Sequence, residues 1–78
     1  MHYVYVLRCG DDRLYVGCTG DLTQRLERHR NARAFATRER LPVRLVWYGV
    51  FRERRAAFGF EKFLKSGSGR AFMGRRLL

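Results

Sequence analysis

The sequence lacks long apolar runs and contains little cysteine and a single proline. No stretch approaches the roughly 20 apolar residues that cross a bilayer, and no signal peptide precedes the first strand, so we expect no membrane association. The two cysteines, Cys9 and Cys18, and the two histidines, His2 and His29, lack the spacing of a zinc finger. We therefore expect free thiols and a reducing, cytoplasmic compartment, with a Cys9–Cys18 disulfide as the less favoured alternative.

Acidic residues are also scarce. Seven aspartates and glutamates stand against 17 lysines and arginines, which gives a net charge of +10. All of the basic residues except Lys62 and Lys65 are arginine, whose planar guanidinium can grip a phosphate through two parallel hydrogen bonds. This excess indicates a polyanionic partner, most simply nucleic acid, although genome composition or solubility could also account for it.

The 78 residues suffice for one small domain spanning 1–78, with a modest core. The apolar pattern predicts the order β-β-α-β-α-α, with strands at 2–9, 13–18 and 43–51 and helices at about 22–31, 53–66 and 69–76. A turn at 10–12 makes the first two strands a hairpin, and a basic loop fills 31–41. The predicted fold class is α+β, a three-stranded, mostly antiparallel sheet flanked by helices.

Four residues carry the predicted helix boundaries. Asp21 is expected to cap the first helix, with Gln24 as its capping-box partner. Gly67 is expected to stop the second helix, and Ser68 is expected to cap the last one.

Glu61 stands out among the carboxylates as a candidate metal ligand. The other acids fall in turns, in a loop, at helix starts or on a solvent face, whereas Glu61 lies beside Ala57 and Leu64 at the edge of a buried helical stripe. Mg²⁺ is usually bound by one or two carboxylates together with waters and phosphate. On the residue pattern alone, a surface ion pair with Lys65 is the commoner role.

Arg25 and His29 form a second candidate pair, four residues apart on the flank of the first helix's apolar stripe. A guanidinium there can hold a phosphate, and an imidazole can move a proton near neutral pH. Taken separately, a surface arginine and a boundary histidine are the commoner interpretations.

Tyrosines supply the third candidate group. Tyr3, Tyr5 and Leu7 share one face of the first strand, and Tyr15 joins that face if odd residues pair with odd ones. Gly17 removes a side chain from the second strand, which suits the close approach of a backbone or ligand. Taken by themselves, tyrosines in strands are more often core residues whose hydroxyl reaches solvent.

Together these residues resemble the GIY-YIG nuclease superfamily, and within it the small stand-alone single-domain group. Tyr3-Val4-Tyr5 resembles the GIY element and Tyr15-Val16-Gly17 the YIG element. Arg25, His29 and Glu61 match the family's helical positions, and the segment 61–72 is similar to the tail of its small members. The likeness covers nearly the whole chain.

The resemblance implies a metal-dependent endonuclease that hydrolyses phosphodiester bonds in DNA, in repair or on branched or single-stranded structures. It assigns Tyr5 as the general base, Tyr15 as its assistant, Arg25 to the phosphate, His29 to proton transfer and Glu61 to one Mg²⁺ or Mn²⁺. A tyrosine base needs a lowered pKa, which the metal and the arginines could supply. The lone carboxylate argues against a two-metal site. This hypothesis requires all five side chains to share one cleft.

Two departures from the family pattern keep an alternative open. Many relatives place a lysine directly after YIG, where this chain has Cys18, and many have a late asparagine, whereas none follows Asn31 here. The alternative is a non-catalytic nucleic-acid-binding module on the same fold, whose binding should weaken steeply with salt. A purely structural partner-binding domain is the third and least favoured possibility.

Overall fold

The computed structural model describes all 78 residues and confirms the predicted element order. The elements are β1 (His2–Arg8), β2 (Leu14–Thr19), α1 (Leu22–Arg30), β3 (Arg44–Phe51), α2 (Arg54–Leu64) and α3 (Gly67–Phe72). After α3 the chain continues directly into a π-helical segment, Met73–Leu77.

The sheet has three antiparallel strands in the order β2-β1-β3, so β1 is central and β2 is an edge strand. Tyr5 pairs with Gly17, and Leu7 pairs with Tyr15. Odd-numbered residues of the hairpin therefore share one face, and Tyr5 and Tyr15 lie on the same side, as predicted.

The two faces of the sheet meet different helices. The even-numbered face forms the apolar core with α2 and the C-terminal segment, and its buried members are Val4, Val6, Val16, Ala57, Leu64 and Met73. The odd-numbered face meets α1, because the ring of His29 lies against the rings of Tyr5 and Tyr15. The sheet thus separates α1 from α2, a placement that the element order alone does not specify.

Asp21 caps α1 as predicted, since its carboxylate accepts the Gln24 backbone N–H at 3.0 Å. The reciprocal half of a capping box is not formed, because the Asp21 N–H donates to the hydroxyl of Thr19 at 3.1 Å instead.

The boundary between α2 and α3 differs from the prediction. Gly67 begins α3 instead of ending α2, and the cap is Ser66, not Ser68; its hydroxyl accepts the Gly69 N–H at 3.1 Å. The chain packs tightly at this boundary, since Gly69 is buried and a β-carbon there would collide with the carbonyl of Phe63. None of the helices is long and apolar enough to cross a membrane.

Candidate active site

A chain of hydrogen bonds runs through the odd-numbered face. The hydroxyl of Tyr5 lies 2.8 Å from Nε2 of His29, and Nδ1 of His29 lies 2.6 Å from the hydroxyl of Thr37. Tyr5 and Thr37 are fully buried, and His29 is 1% exposed. Each ring nitrogen therefore has a partner, as the cost of an unpaired buried polar group requires.

The surroundings of His29 disfavour its protonated form. Burial lowers its pKa, and the positive charges of Arg25 and Arg28 lower it further. A neutral imidazole has one donor and one acceptor nitrogen, so it accepts from one of its two hydroxyl partners and donates to the other. Tyr5 and Thr37 thus fix the orientation of the ring, and because both are hydroxyls they can satisfy either tautomer.

Tyr15 completes an aromatic cluster with this pair. Its ring centroid lies 6.3 Å from that of Tyr5 and 5.3 Å from that of His29. Unlike Tyr5, Tyr15 is only half-buried, and it lines an open cleft at the edge of β2. Of the two phenols, Tyr15 is the one that solvent reaches.

Gly17 allows a close approach, but of a side chain, the Tyr5 ring, and not of the backbone or ligand that was predicted. A β-carbon at this position would collide with the Tyr5 ring at its hydroxyl end. The phenol of Tyr5 therefore lies across the Gly17 backbone and reaches toward the edge strand.

The pKa of Tyr5 moves in the direction opposite to the one that a base needs. Burial raises it to about 12, and the neighbouring phenol of Tyr15 adds to the increase. The guanidinium of Arg25 lowers the pKa of Tyr5 through its hydrogen bond and its positive charge, as predicted for an arginine. The increase caused by burial is larger than this decrease.

The charges of Arg25, on α1, and Glu61, on α2, act on the same two groups of the hairpin. Burial raises the pKa of the Cys18 thiol, the charge of Glu61 raises it further, and the charge of Arg25 lowers it. The same two charges act on the phenol of Tyr5. The helix α2 packs on the opposite face from Tyr5, and the charge of Glu61 is the smallest of the influences on the pKa of Tyr5.

Tyr5, Tyr15 and His29 contact one another on the odd-numbered face. Of the five predicted residues only Tyr15 lines the cleft at the edge of β2, so the five do not share one cleft as expected.

Glu61 also forms the ion pair that its sequence spacing allows. Nζ of Lys65 lies 3.0 Å from Oε2 of Glu61, whose side chain is 21% exposed. No three histidine, cysteine, aspartate or glutamate side chains are grouped so as to hold a metal ion. A lone carboxylate suits Mg²⁺ only where phosphate and water complete the coordination. The donor set therefore fits a cation shared with a phosphate substrate and does not fit a site made by protein alone.

Thr37 and Arg40 help to hold the site together, but no pattern in the sequence identifies them. Both lie in the loop predicted over 31–41, which has no apolar periodicity. Nε of Arg40 donates to the Asp11 carboxylate at 2.8 Å, and the Arg40 carbonyl accepts the N–H of Gly10. These bonds tie the loop to the hairpin turn and hold Thr37 near His29.

Comparison with known proteins identifies the family of the chain. The family model described as the GIY-YIG catalytic domain matches residues 1–75. The chain is 42% identical over 66 residues to the UPF0213 protein CPE1444 of Clostridium perfringens (strain 13 / Type A), which covers 83% of this chain and 71% of that protein. It is 47% identical over 64 residues to the UPF0213 protein SpyM50708 of Streptococcus pyogenes serotype M5 (strain Manfredo), covering 81% of this chain and 70% of that protein.

A solved structure is also similar. The solution NMR structure of the UPF0213 protein BH0048 from Bacillus halodurans superposes with a TM-score of 0.61 at 34% identity, covering 95% of this chain and 82% of that one. The sequence motifs, the fold and these relatives agree, and the chain belongs to the GIY-YIG nuclease superfamily.

Proposed function

We propose that this protein is a metal-dependent endonuclease that hydrolyses phosphodiester bonds in DNA. The observation that carries the proposal is the contact of two phenols, Tyr5 and Tyr15, with the imidazole of His29. The opposite charges of Arg25 and Glu61 both act on the phenol of Tyr5. Cleavage of a phosphodiester needs an activated water, positive charge on the phosphate and a path for the proton. The residues of this cluster offer each of these.

Burial suggests how the two phenols divide the work. A general base must touch the water that it activates, and Tyr5, the residue predicted for that role, has no exposed surface. Tyr15 lines the cleft, so we assign Tyr15 to the water. Tyr5 then orients the cluster and links it to His29, which can accept a proton at a ring nitrogen.

Arg25 and Glu61 are assigned to the phosphate. The guanidinium of Arg25 offers a planar pair of donors to phosphate oxygens. Glu61 would exchange its partner Lys65 for one Mg²⁺ or Mn²⁺ when a phosphate is present. A divalent cation supplies the positive charge that stabilises the transition state of such a hydrolysis.

The first test is nicking of plasmid and branched DNA in the presence of Mg²⁺ or Mn²⁺. We expect Glu61→Gln to lose activity by about 100-fold or more, the scale on which lost electrostatic stabilisation of a transition state is felt. Glu27→Gln is the matched control, since Glu27 is an exposed acid on α1. Equal activity of Glu61→Gln and the wild type would remove Glu61 from the mechanism.

A second test separates the phenols. Tyr15→Phe is expected to lower the nicking rate by about 100-fold or more, the contribution of a general base, whereas Tyr5→Phe should lower it less. The reverse pattern would return the role of base to Tyr5.

A second candidate function is a non-catalytic nucleic-acid-binding module. The ion pair between Glu61 and Lys65 favours it, because this pair already satisfies the only candidate carboxylate. It predicts binding that weakens steeply with salt while the DNA stays intact at every metal concentration.

We place this activity in DNA repair in the cytoplasm, with residues 1–78 acting as one domain. The unpaired state of Cys9 and Cys18 supports a reducing compartment. Loss of the protein should then raise sensitivity to DNA damage, and fractionation should recover the protein with cytoplasmic contents.

A further inference from the structure

The outer edge of β3 is unpaired. β3 lies at one side of the sheet, with β1 as its only neighbouring strand. No hydrogen bond outside the sheet involves any residue of Arg44–Phe51, whether from the backbone or from a side chain. The outward N–H and C=O groups of β3 are therefore free to pair with another extended chain.

Few features of β3 oppose such pairing. Lysine, proline and charged side chains are the usual means by which an edge strand is kept from pairing. Residues 45–51 contain no charged residue and no proline. The one irregularity in the pairing with β1 lies between Val6 and Leu7, and residues 47–51 of β3 follow a regular register. Most of β3 is therefore a suitable template for a fourth strand.

Exposed apolar side chains distinguish β3 from β2, the other edge of the sheet. No residue of β2 is exposed, whereas on β3 Tyr48 is 50% exposed and Val50 is 52% exposed. These two residues lie on one face of the strand, and Val50 pairs with Tyr3, whose ring centroid lies 6.5 Å from that of Tyr48. We call Tyr3, Tyr48 and Val50 the β3 row. The β3 row gives an added strand apolar contacts that β2 does not offer.

A groove of about 350 Å³ lies beside the β3 row. Tyr3 and Tyr48 line it together with residues 20–23, where α1 begins. Its volume is close to the lower end of the range of about 300–1,000 Å³ that is common for ligand sites, so it has room for one large side chain. No lysine or arginine lines the groove, and Asp21 does. The groove therefore suits an aromatic or aliphatic side chain and does not suit a phosphate.

Arginines lie at both ends of β3. Arg44 begins the strand and Arg52 follows its last residue; both are exposed, and neither forms an ion pair. A carboxylate binds a guanidinium through two parallel hydrogen bonds, so acidic residues suit both ends of an added strand. A second copy of this chain fits less well, because antiparallel pairing of β3 with itself about Tyr48 would set Arg44 of one copy against Arg52 of the other.

We propose that the outer edge of β3 binds an extended, acidic segment of another protein, which adds a fourth strand to the sheet. The backbone of the segment pairs with β3, and an apolar side chain near its middle enters the groove at Tyr3 and Tyr48. Carboxylates at its two ends meet Arg44 and Arg52. This interaction goes beyond the proposed endonuclease activity and does not depend on it.

The probe is a fluorescein-labelled peptide, Glu-Glu-Val-Thr-Phe-Thr-Val-Glu-Glu, whose binding to the protein is measured by fluorescence anisotropy. Two further peptides carry N-methyl groups on alternate residues, so that each lacks the N–H donors of one of its two edges. The variant Tyr48→Thr with Val50→Thr removes exposed apolar side chains, while threonine keeps the strand propensity. The matched control is Phe35→Thr with Phe58→Thr, since both phenylalanines are exposed outside β3. Urea unfolding checks that both variants fold as the wild type does.

We expect the peptide to bind the wild type and to slow amide hydrogen exchange within Arg44–Phe51. The variant at Tyr48 and Val50 should bind at least about 10-fold more weakly, as for truncation of anchor residues in an interface, and the control should change by less than about 2-fold. Methylation of one edge of the peptide should abolish binding, and methylation of the other should not. No binding by the wild type, equal affinity for all three peptides, or equal loss in the two variants would overturn the proposal.

Charge variants test the ends of the strand. Arg44→Gln with Arg52→Gln should weaken binding of the peptide and make it less sensitive to salt, because exposed charges act over a distance that salt shortens. The matched control, Arg30→Gln with Arg33→Gln, removes the same charge from exposed positions away from β3 and should have a smaller effect. Equal effects of the two double substitutions would remove the acidic ends from the proposal.

Two measurements identify a different occupant. If the variant at Tyr48 and Val50 binds a short DNA duplex more weakly than the control does, the edge serves nucleic acid. If the wild type forms a dimer in sedimentation without peptide, and this variant does not, the edge serves a second copy. Either result would overturn the proposal. The nicking assay is independent of it: the variant should cleave as the wild type does, and failure of the wild type to cleave would leave the peptide-binding result intact.

Discussion

The two faces of the sheet are built from alternate residues of the same strands, yet they are filled in opposite ways. On the even-numbered face, Val4, Val6 and Val16 pack against apolar side chains of α2 and the C-terminal segment. On the odd-numbered face, Tyr5 is equally buried but joins a hydrogen-bonded chain with His29 and Thr37.

This contrast shows how a domain of 78 residues can combine stability with a reactive site. Apolar burial stabilises without regard to direction, whereas a buried polar chain stabilises only if every member keeps its partner. The even face therefore tolerates exchanges of similar volume, while the odd face depends on particular atoms. Each prediction below changes one face and compares it with a matched position.

Leu64→Ala should give the largest loss. Leu64 is fully buried in the even-face core, and removal of such a side chain costs about 2–5 kcal/mol. A domain of this size has a free energy of unfolding of only about 4–12 kcal/mol, so the variant should be close to unfolded. Urea denaturation followed by circular dichroism measures the change.

Phe58→Ala is the control for that variant, because Phe58 is 46% exposed and its ring lies against the guanidinium of Arg54 in an aromatic–cation pair. Its cost should stay below about 1 kcal/mol. Similar losses at Leu64 and Phe58 would mean that the even face does not hold the fold together.

The even face is also the part of the molecule that sequence pattern predicts well. Alternation in the strands and the helical stripe of Ala57 and Leu64 follow from burial alone, and both were found. The register that joins Tyr5 and Tyr15 followed from the same alternation. The start of α3 was missed, and no periodicity encodes the tight contact at Gly69 beside it.

The odd face could be predicted only in part. Tyr5, Tyr15 and His29 carry recognisable motif positions, and they do meet. Thr37 lies in an irregular loop, and its contact with His29 depends on how the loop is tied to the hairpin turn. Nor could the rise in the pKa of Tyr5 be foreseen, because it depends on complete burial of the phenol, which a strand pattern does not determine.

Gly17→Ala tests the odd face sterically. The added methyl group would occupy the place of the Tyr5 ring, so the phenol must move away from His29. Overpacking of this kind costs about 1–3 kcal/mol, and the proposed nicking activity should fall with it. Gly20→Ala is the control, since no atom lies within 4 Å of a β-carbon there. Equal stability of the two variants would show that the Tyr5 phenol is free to shift.

Thr37→Val removes a hydroxyl from the odd face, and Val6→Thr adds one to the even face, with little change in side-chain shape. The first leaves a nitrogen of His29 without a partner, and the second buries a hydroxyl in the apolar core. Each should lower the free energy of unfolding by about 1–3 kcal/mol in urea titration. Thr37→Ser, which keeps the hydroxyl, should lose less than Thr37→Val. A neutral Thr37→Val would mean that the odd face behaves as an ordinary apolar core.

The smallest effect expected is a pH dependence confined to the odd face. Burial, aided by Arg25 and Arg28, lowers the pKa of His29 in the folded protein below the value of about 6.5 that it has when unfolded. Protons therefore bind the unfolded chain first, so this contribution to stability is complete above pH 6.5 and is lost as the pH falls below it. Urea midpoints measured from pH 7.5 to 5 should decline in the wild type, in a range above that in which carboxylates titrate. In His29→Gln the urea midpoint should depend less on pH than in the wild type. The control Phe58→Ala should keep the wild-type dependence. The same pH dependence in the wild type and His29→Gln would show that the imidazole is not held neutral by its surroundings.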